Sequence, residues 1–480
     1  MLKFFILLVT VVFSSNIFAQ PWQNLQSLLP KGTQLSYLVV DAAQQNQIAS
    51  FQEETLRTPA SVQKLLTATT AKLYLGDDYR YQTRILGDKK AIVNKVYQGD
   101  LSLYFSGDPT LTRMHIKKML QSLKRLGIKK IEGNFLLNDS HFNGYQWSNG
   151  QAWNDLGVCY TAPSNAIIIN RNCVQGNLSV PNEETLKARL YIPSYEPVDI
   201  TSNVSVVSKA ERKAQFCDLE MTLNSQNKYH LWGCIVPSKR PLGLAFALND
   251  PGTYAQRIMN AELQDVGITL TGKVLIDSKP ETVKGQNTLV LHQSSVLDEL
   301  LTTMIKDSDN LIADSLFKTI GARYFKQAGN FRNGAEALKS ILKAHGINLE
   351  NAYITDGSGL SRHNLMSAEL FMSVMQFIYK KDKQLGLISS FSISGIDGTL
   401  KYHKGFKTPA LKGKIIAKSG SLKGVSNLMG IVKTKQGDKL FVLMINGYNR
   451  EKSAVDTTIP RHEKASIYLF EKAFFENILN

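Results

Sequence analysis

Helix-forming stretches occupy both ends of this sequence and strand-forming stretches its middle, and that order narrows the folds open to it more than any other feature. Residues 35–40 read as a strand. Residues 59–75 read as a helix, with Thr58 as candidate cap, Pro59 at the first position, and Val62, Leu65, Leu66, Ala68 and Leu73 at helical spacing. From about Arg84 to about Gly285, strand-like runs (101–105, 135–137, 166–170) alternate with clusters of Gly, Asn, Pro and Asp. Helical periodicity returns at 297–305, 311–322, 335–344 and 367–379. Three strands follow at 414–418, 427–433 and 439–445, broken by Gly420 and by the turn Gln436-Gly437-Asp438, before a last amphipathic helix over roughly 463–478. The termini of a domain often lie close together, so the simplest account is one α/β domain interrupted by a large β-rich insertion. Three independent domains in a row is the competing account.

The first residues set the compartment. Met1-Leu2-Lys3 gives a positive start, residues 4–13 are nearly all apolar, and Ala19 ends a polar break at a plausible cleavage position. An apolar run of about ten residues is too short to span a bilayer and has signal-peptide length. No later window offers a transmembrane segment, so the expected mature chain starts near Gln20 and is exported. Cys159, Cys173, Cys217 and Cys234 agree with export. No C-x-x-C pair suggests zinc, and an oxidising compartment favours two structural disulfides, for which short loops favour Cys159–Cys173 and Cys217–Cys234.

The formal net charge of +16 is spread along the chain without a basic block or nucleic-acid signature. A polyanionic cell-wall polymer or lipid headgroups suit it as well as nucleic acid would, and no nucleic-acid partner is expected.

Three short motifs carry the chemistry. Ser61-Val62-Gln63-Lys64 is an S-x-x-K on the 59–75 helix, where residues three apart share a face. A serine hydroxyl becomes a nucleophile when a base takes its proton, and a lysine serves once burial or nearby positive charge keeps it neutral. The pattern is weak alone, because it recurs at Ser225/Lys228, Ser315/Lys318 and Ser340/Lys343, and most such pairs are solvated helix faces. Ser308-Asp309-Asn310 occurs once, between two helical stretches, where a hydroxyl can relay a proton and an amide can grip a substrate amide. Its plainer reading is an N-cap. Lys418-Ser419-Gly420 also occurs once, at a strand end, where an ammonium and a hydroxyl can hold an anion and the glycine admits close approach. The plainer reading there is a bulge before a hairpin. Together and in this order they form the set of penicillin-interacting serine enzymes.

Beyond these motifs, the chain resembles the D-alanyl-D-alanine carboxypeptidase/endopeptidases of the penicillin-binding protein 4 type, the low-molecular-mass class C penicillin-binding proteins. The resemblance runs over nearly the whole mature chain. It rests on Pro59-Ala60-Ser61 with Lys64, FSGDPTL at 105–111, Trp153-Asn154-Asp155, KDSDNLIA at 306–313, DGSGLSRHN at 356–364, GIDGTL at 395–400 and AKSGSLKG at 417–424. The S-x-x-K and S-D-N motifs stand much farther apart than in a class A β-lactamase, which matches the inserted domains of this family. The resemblance implies an α/β (α+β) multi-domain protein with a transpeptidase-like serine-acylase domain of antiparallel sheet and helices. That domain would comprise 20–83 and 286–480 after a signal peptide at 1–19. A second domain would comprise 84–182 and 236–285, with a small β-rich third domain, 183–235, nested in it.

Carried over position by position, the resemblance implies Ser61 as nucleophile and Lys64 as its base. Ser308 would relay the proton to the leaving nitrogen, and Asn310 would hold the substrate amide and orient Lys64. Lys418 would supply positive potential beside Ser419, which would bind the terminal carboxylate, with Gly420 between that hydroxyl and the oxyanion hole. The N–H groups of Ser61 and Ser421 would form that hole. Asp155, Arg362 and Leu422 match positions that read the diaminopimelate side chain of the stem peptide. Ser419 departs from the family, where threonine is commoner; the hydroxyl survives, with a methyl and some rigidity lost.

The implied activity is serine-type hydrolysis of D-Ala-D-Ala or D-Ala-diaminopimelate bonds in peptidoglycan stem peptides, with β-lactams as covalent inhibitors. It asks for no cofactor or metal, places the enzyme in the periplasm, and is compatible with a homodimer. A β-lactamase of the same superfamily would differ by rapid turnover of nitrocefin. A non-catalytic wall-binding protein would release no D-alanine. A Ser-His-Asp hydrolase and a zinc peptidase find neither a G-x-S-x-G elbow nor an H-E-x-x-H spacing, and His363 reads as an ordinary loop histidine.

Overall fold

The computed structural model describes residue 22 and residues 25–180, 185–280, 287–448 and 467–480; the stretch read as an export signal lies outside them. Both ends of the described chain meet in one antiparallel sheet. Its strands run in the order Ser392–Ile393, Ile415–Leu422, Val425–Thr434, Gly437–Asn446, Gln34–Asp41 and Gln47–Phe51. Tyr37 pairs with Leu443 and Leu38 with Val442, so an early strand lies beside a late one.

The sheet is buried on both faces, and strict alternation decides which residue faces which layer. Leu38, Val40, Leu440, Val442 and Met444 pack on the helices Lys64–Leu75, Leu297–Lys306, Asn310–Phe325, Phe331–Ala344 and Ala368–Leu385. Tyr37, Val39, Phe441, Leu443 and Ile445 point the other way, onto the C-terminal helix Ile467–Leu479 and the turn Leu25–Leu28. Each fully buried side chain of this kind contributes roughly 1.5–3 kcal/mol, so a slip of one residue would exchange the two layers at large cost.

Between these halves lies the insertion. The strands Leu101–Tyr104 and Phe135–Asn138 pair in parallel, and a parallel pair needs a crossover. The helix Arg113–Arg125 lies between them in sequence, and with Pro251–Val266 it packs on a core that includes Leu103, Phe135, Ile116 and Ile258. A smaller apolar cluster around Leu178, Tyr229, Leu231 and Phe246 forms beside it. Two disulfides, Cys159–Cys173 and Cys217–Cys234, cross-link this region.

Three local expectations give way. Residues 166–170 form no strand: Asn170, Arg171 and Asn172 all have positive φ, and the Asn170 carboxamide accepts from the Arg113 amide, which bends the chain. The 59–75 helix is a 3-10 turn, Ala60–Gln63, running into the α-helix Lys64–Leu75, and Thr58 does not cap it. Gly420 interrupts nothing, because its strand continues to Leu422.

Candidate active site

The turn that carries Ser61 is held from below by two carboxamides of the sheet. The Thr58 N–H donates to Asn446 Oδ1 at 2.9 Å, and Asn427 Nδ2 donates to the carbonyls of Thr58 at 2.9 Å and Pro59 at 2.8 Å. Ala60 then adopts φ +50°, a left-handed conformation that a non-glycine residue takes rarely, and turns Ser61 toward the cleft. The Asp356–Gly359 loop closes the other side, so near that a Cβ on Gly359 would stand 2.0 Å from the Ala60 carbonyl oxygen.

One turn along, Lys64 is fully buried. Its Nζ lies 2.9 Å from Ser61 Oγ, 2.6 Å from Asn310 Oδ1 and 2.6 Å from the Ser358 carbonyl oxygen. Asn310 and Ser358 are acceptors, so they claim two N–H bonds. A neutral amine has two and one lone pair, which then faces the serine hydroxyl. Burial lowers the lysine pKa to about 8, against the opposing charges of Asp314, Asp356 and Asp309. Burial, with the charge of Asp356 second, pushes Asp314 up. Asp314 accepts from the amides of Gly357 and Ser358, and Asp356 from those of Gly359 and Ser361, which fixes the loop that presents the Ser358 carbonyl.

The S-D-N segment opens a helix, the plainer of its readings, and turns Ser308 and Asn310 to the two motif lysines. Asp309 caps the helix Asn310–Phe325 through the Ile312 amide at 3.0 Å, while Ser308, at φ +60°, turns its hydroxyl to Lys418. Lys418 Nζ, fully buried, lies 3.0 Å from Ser308 Oγ and 2.7 Å from the Ser419 carbonyl oxygen. Burial holds its pKa well below the usual lysine value, and the neighbouring Lys64 charge adds to this. Asn310 Nδ2 donates to the Tyr160 carbonyl at 2.8 Å, and Arg171 pairs with Asp309. Both partners come from the segment braced by Cys159–Cys173.

The strand Ile415–Leu422 forms the opposite wall. A Cβ on Gly420 would lie 2.8 Å from the Val62 nitrogen and 2.9 Å from the Ser61 nitrogen, so glycine is what lets the strand reach the Ser61 amide. Ser419 Oγ donates to Thr399 Oγ1 at 2.6 Å. Ser61, Ser308, Thr399, Ser419 and Ser421 line a cavity of about 220 Å³.

The three positions expected to read the diaminopimelate side chain are linked more loosely, and none of them lines this cavity. Asp155 ends the turn Trp153–Asp155 and hydrogen-bonds the Tyr160 hydroxyl, which burial together with this bond pushes up to about 12. Arg362, exposed, opposes that shift by its charge. Its amide donates to the Gly150 carbonyl and its guanidinium to the Lys423 carbonyl at 3.2 Å, next to half-buried Leu422.

Several residues of the site went unassigned in the sequence: Asn427, Asn446, Asp314, Asp356, Ser358 and Thr399. A faint signal existed for some. Asn427 and Asn446 are carboxamides beside apolar strand runs, and Asp314 is a lone carboxylate in an apolar helix.

Comparison with known proteins bears on this arrangement. The model of the D-Ala-D-Ala carboxypeptidase 3 (S13) family matches residues 23–465. The D-alanyl-D-alanine carboxypeptidase DacB of Haemophilus influenzae is 38% identical over 444 residues, 92% of this chain and 91% of the relative. The crystal structure of penicillin binding protein 4 (dacB) from Haemophilus influenzae superposes with a TM-score of 0.88 at 36% identity, covering 95% of this chain and 99% of that one. The same protein complexed with a novel β-lactam gives 0.83 at 34% identity, with the same coverage.

Proposed function

The chain belongs to the D-Ala-D-Ala carboxypeptidase 3 (S13) family, and on that premise we propose that Ser61 is the acylated nucleophile of this D-Ala-D-Ala carboxypeptidase and Lys64 its base. The observation that carries the reading is the placement of Lys64 Nζ, with Asn310 and Ser358 occupying its N–H bonds and Ser61 Oγ within 2.9 Å of what remains.

The reaction is acyl transfer in two steps. Ser61 Oγ attacks the carbonyl carbon of the penultimate D-alanine and its proton passes to Lys64 Nζ. The N–H groups of Ser61 and Ser421 hold the oxyanion. As the C–N bond breaks, the Lys64 ammonium returns its proton by way of the Ser308 hydroxyl to the departing nitrogen, which leaves Lys64 neutral again, while Lys418 holds the Ser308 Oγ in place. Water then attacks the ester, with Lys64 again accepting the proton and returning it to the departing Ser61 Oγ. Ser419 takes the substrate's terminal carboxylate. That negative charge opposes the effect of burial on Lys418 and favours its ammonium form.

The same site would cleave the D-Ala-diaminopimelate cross-link, with Asp155, Arg362 and Leu422 reading the diaminopimelate side chain. Support comes from their placement around Tyr160 and the end of the Ile415–Leu422 strand. A β-lactam would acylate Ser61 and stay, because its leaving group remains tethered. The division into a catalytic domain (20–83, 286–480) and inserted domains (84–182 with 236–285, and 183–235) is supported by the separate apolar clusters. A periplasmic location is supported by the two disulfides, and among the described residues no helix is long and apolar enough to cross a membrane.

Mass spectrometry of muropeptides digested with wild type and with Ser61→Ala tests the reading. The expected result is loss of D-alanine from pentapeptides in wild type alone. Covalent labelling of the Ser61→Ala protein by a fluorescent penicillin would remove Ser61 from its role.

A further inference from the structure

A second and much larger cleft, about 1370 Å³, opens on the far side of the S-D-N turn, and Ser308 borders both it and the cavity at Ser61. Its walls come from the insertion: the helices Arg113–Arg125 and Pro251–Val266 and the segment around Tyr195. We propose that this cleft binds the leaving strand of a cross-linked muropeptide, as hydroxyl- and amide-rich glycopeptide; the proposal rests on the acyl-enzyme reading above.

Position gives the direction. In that reading Ser308 protonates the departing nitrogen, so whatever lies beyond Ser308 lies on the leaving-group side of the scissile bond. When the leaving group is a single D-alanine, nothing reaches so far. When it is the diaminopimelate of a second stem peptide, the rest of that strand needs a volume of this order.

The chemistry of the walls gives the ligand class. Every basic side chain lining the cleft is already paired with a carboxylate: Arg113 with Glu262, Lys117 with Asp265 and Arg171 with Asp309. A phosphate-rich polymer would find no unpaired cation among the described residues there. Glu262, in contrast, is 3% exposed, and its Oε2 is buried with no hydrogen-bond partner among the described residues. A buried carboxylate oxygen left in this way calls for a donor, which sugar hydroxyls and peptide amides supply. Beside it the Tyr195 ring is 64% exposed, while its carbonyl is held by Arg113 Nη1 at 2.7 Å. A fixed, open aromatic face suits the C–H face of a sugar.

The test compares two substrates on one enzyme: a disaccharide pentapeptide, which releases D-alanine, and a cross-linked disaccharide-tetrapeptide dimer. Tyr195→Ala, a change at an exposed side chain, should lower kcat/KM for the dimer by about tenfold, the scale of truncating one buried anchor of an interface, and leave pentapeptide hydrolysis unchanged. Glu262→Gln should act in the same sense. Equal effects on both substrates, or unchanged dimer cleavage in both variants, would overturn the assignment. So would a wild type that releases D-alanine and leaves the dimer whole. The pentapeptide assay reports on Ser61 by itself, so failure of the cleft and failure of the nucleophile are read from different substrates.

Discussion

The cleft at Ser61 and the seam between the Asn310–Phe325 helix and the insertion are built around the same tetrapeptide pattern. Ser61-x-x-Lys64 lines the first and Ser315-x-x-Lys318 the second, and both lysines are buried. Burial depresses both, Lys64 to about 8 and Lys318 to about 7, and Asp314 opposes the effect in each. Their partners differ. Lys318 donates to the carbonyls of Tyr145 and Ser164 at 2.9 and 2.5 Å and lies over the Phe331 ring, while Ser315 Oγ is buried with no hydrogen bond among the described residues. Lys64 has its own serine within reach as well as two acceptors. A desolvated amine is therefore not a site until its lone pair has a proton to take. In the seam, the same chemistry ties two parts of the molecule together.

The sharpest way to break this contrast is to remove each amine in turn. Lys64→Met should slow acylation by a fluorescent penicillin by about a thousandfold or more, the upper range for losing a general base. If Lys318→Met did the same in a folded protein, the distinction drawn here would fail. Next, Gly420→Ala should reduce acylation by about a hundredfold, since its Cβ meets the backbone around Ser61 at under 3 Å and small displacements of reacting atoms are costly.

A pH series sharpens the comparison further. With Lys64 as the proposed base its neutral form is the active one, and burial lowers its pKa to about 8, so the acylation rate should fall about tenfold per unit as pH drops below that value and level off above it. A flat profile between pH 6 and 9 would separate the rate from Lys64. The smallest effect on rate belongs to Lys318→Met: acylation within about threefold of wild type, with stability to denaturant lowered by about 1–3 kcal/mol because two buried carbonyls lose their donor.

What the sequence showed and what it hid divide along chain separation. The helices, the three motifs and the family were readable because each lies in a short stretch. The residues that hold the Ser61 turn were not. Asn446 reaches the Thr58 amide across 388 positions, and Asn427 reaches the Thr58 carbonyl across 369. Nothing near 58 announces either partner. Thr58 is no cap because Pro59 precedes the turn and Ala60, at φ +50°, bends the chain between Thr58 and the helix. Residues 166–170 misled for a local reason, since their alternation is strand-like while the asparagines around them take left-handed conformations. Gly420 looked like punctuation because a sequence cannot show that a strand must pass against another backbone.

The pairing of an early strand with a late one also sets a schedule. Ser61 leaves the ribosome among the first residues, whereas the carboxamides that seat its turn leave it among the last. A nascent chain therefore carries an unseated serine until synthesis is nearly finished. A premature stop anywhere before residue 446 should yield inert product, so that no partly made copy can cleave a D-Ala-D-Ala bond.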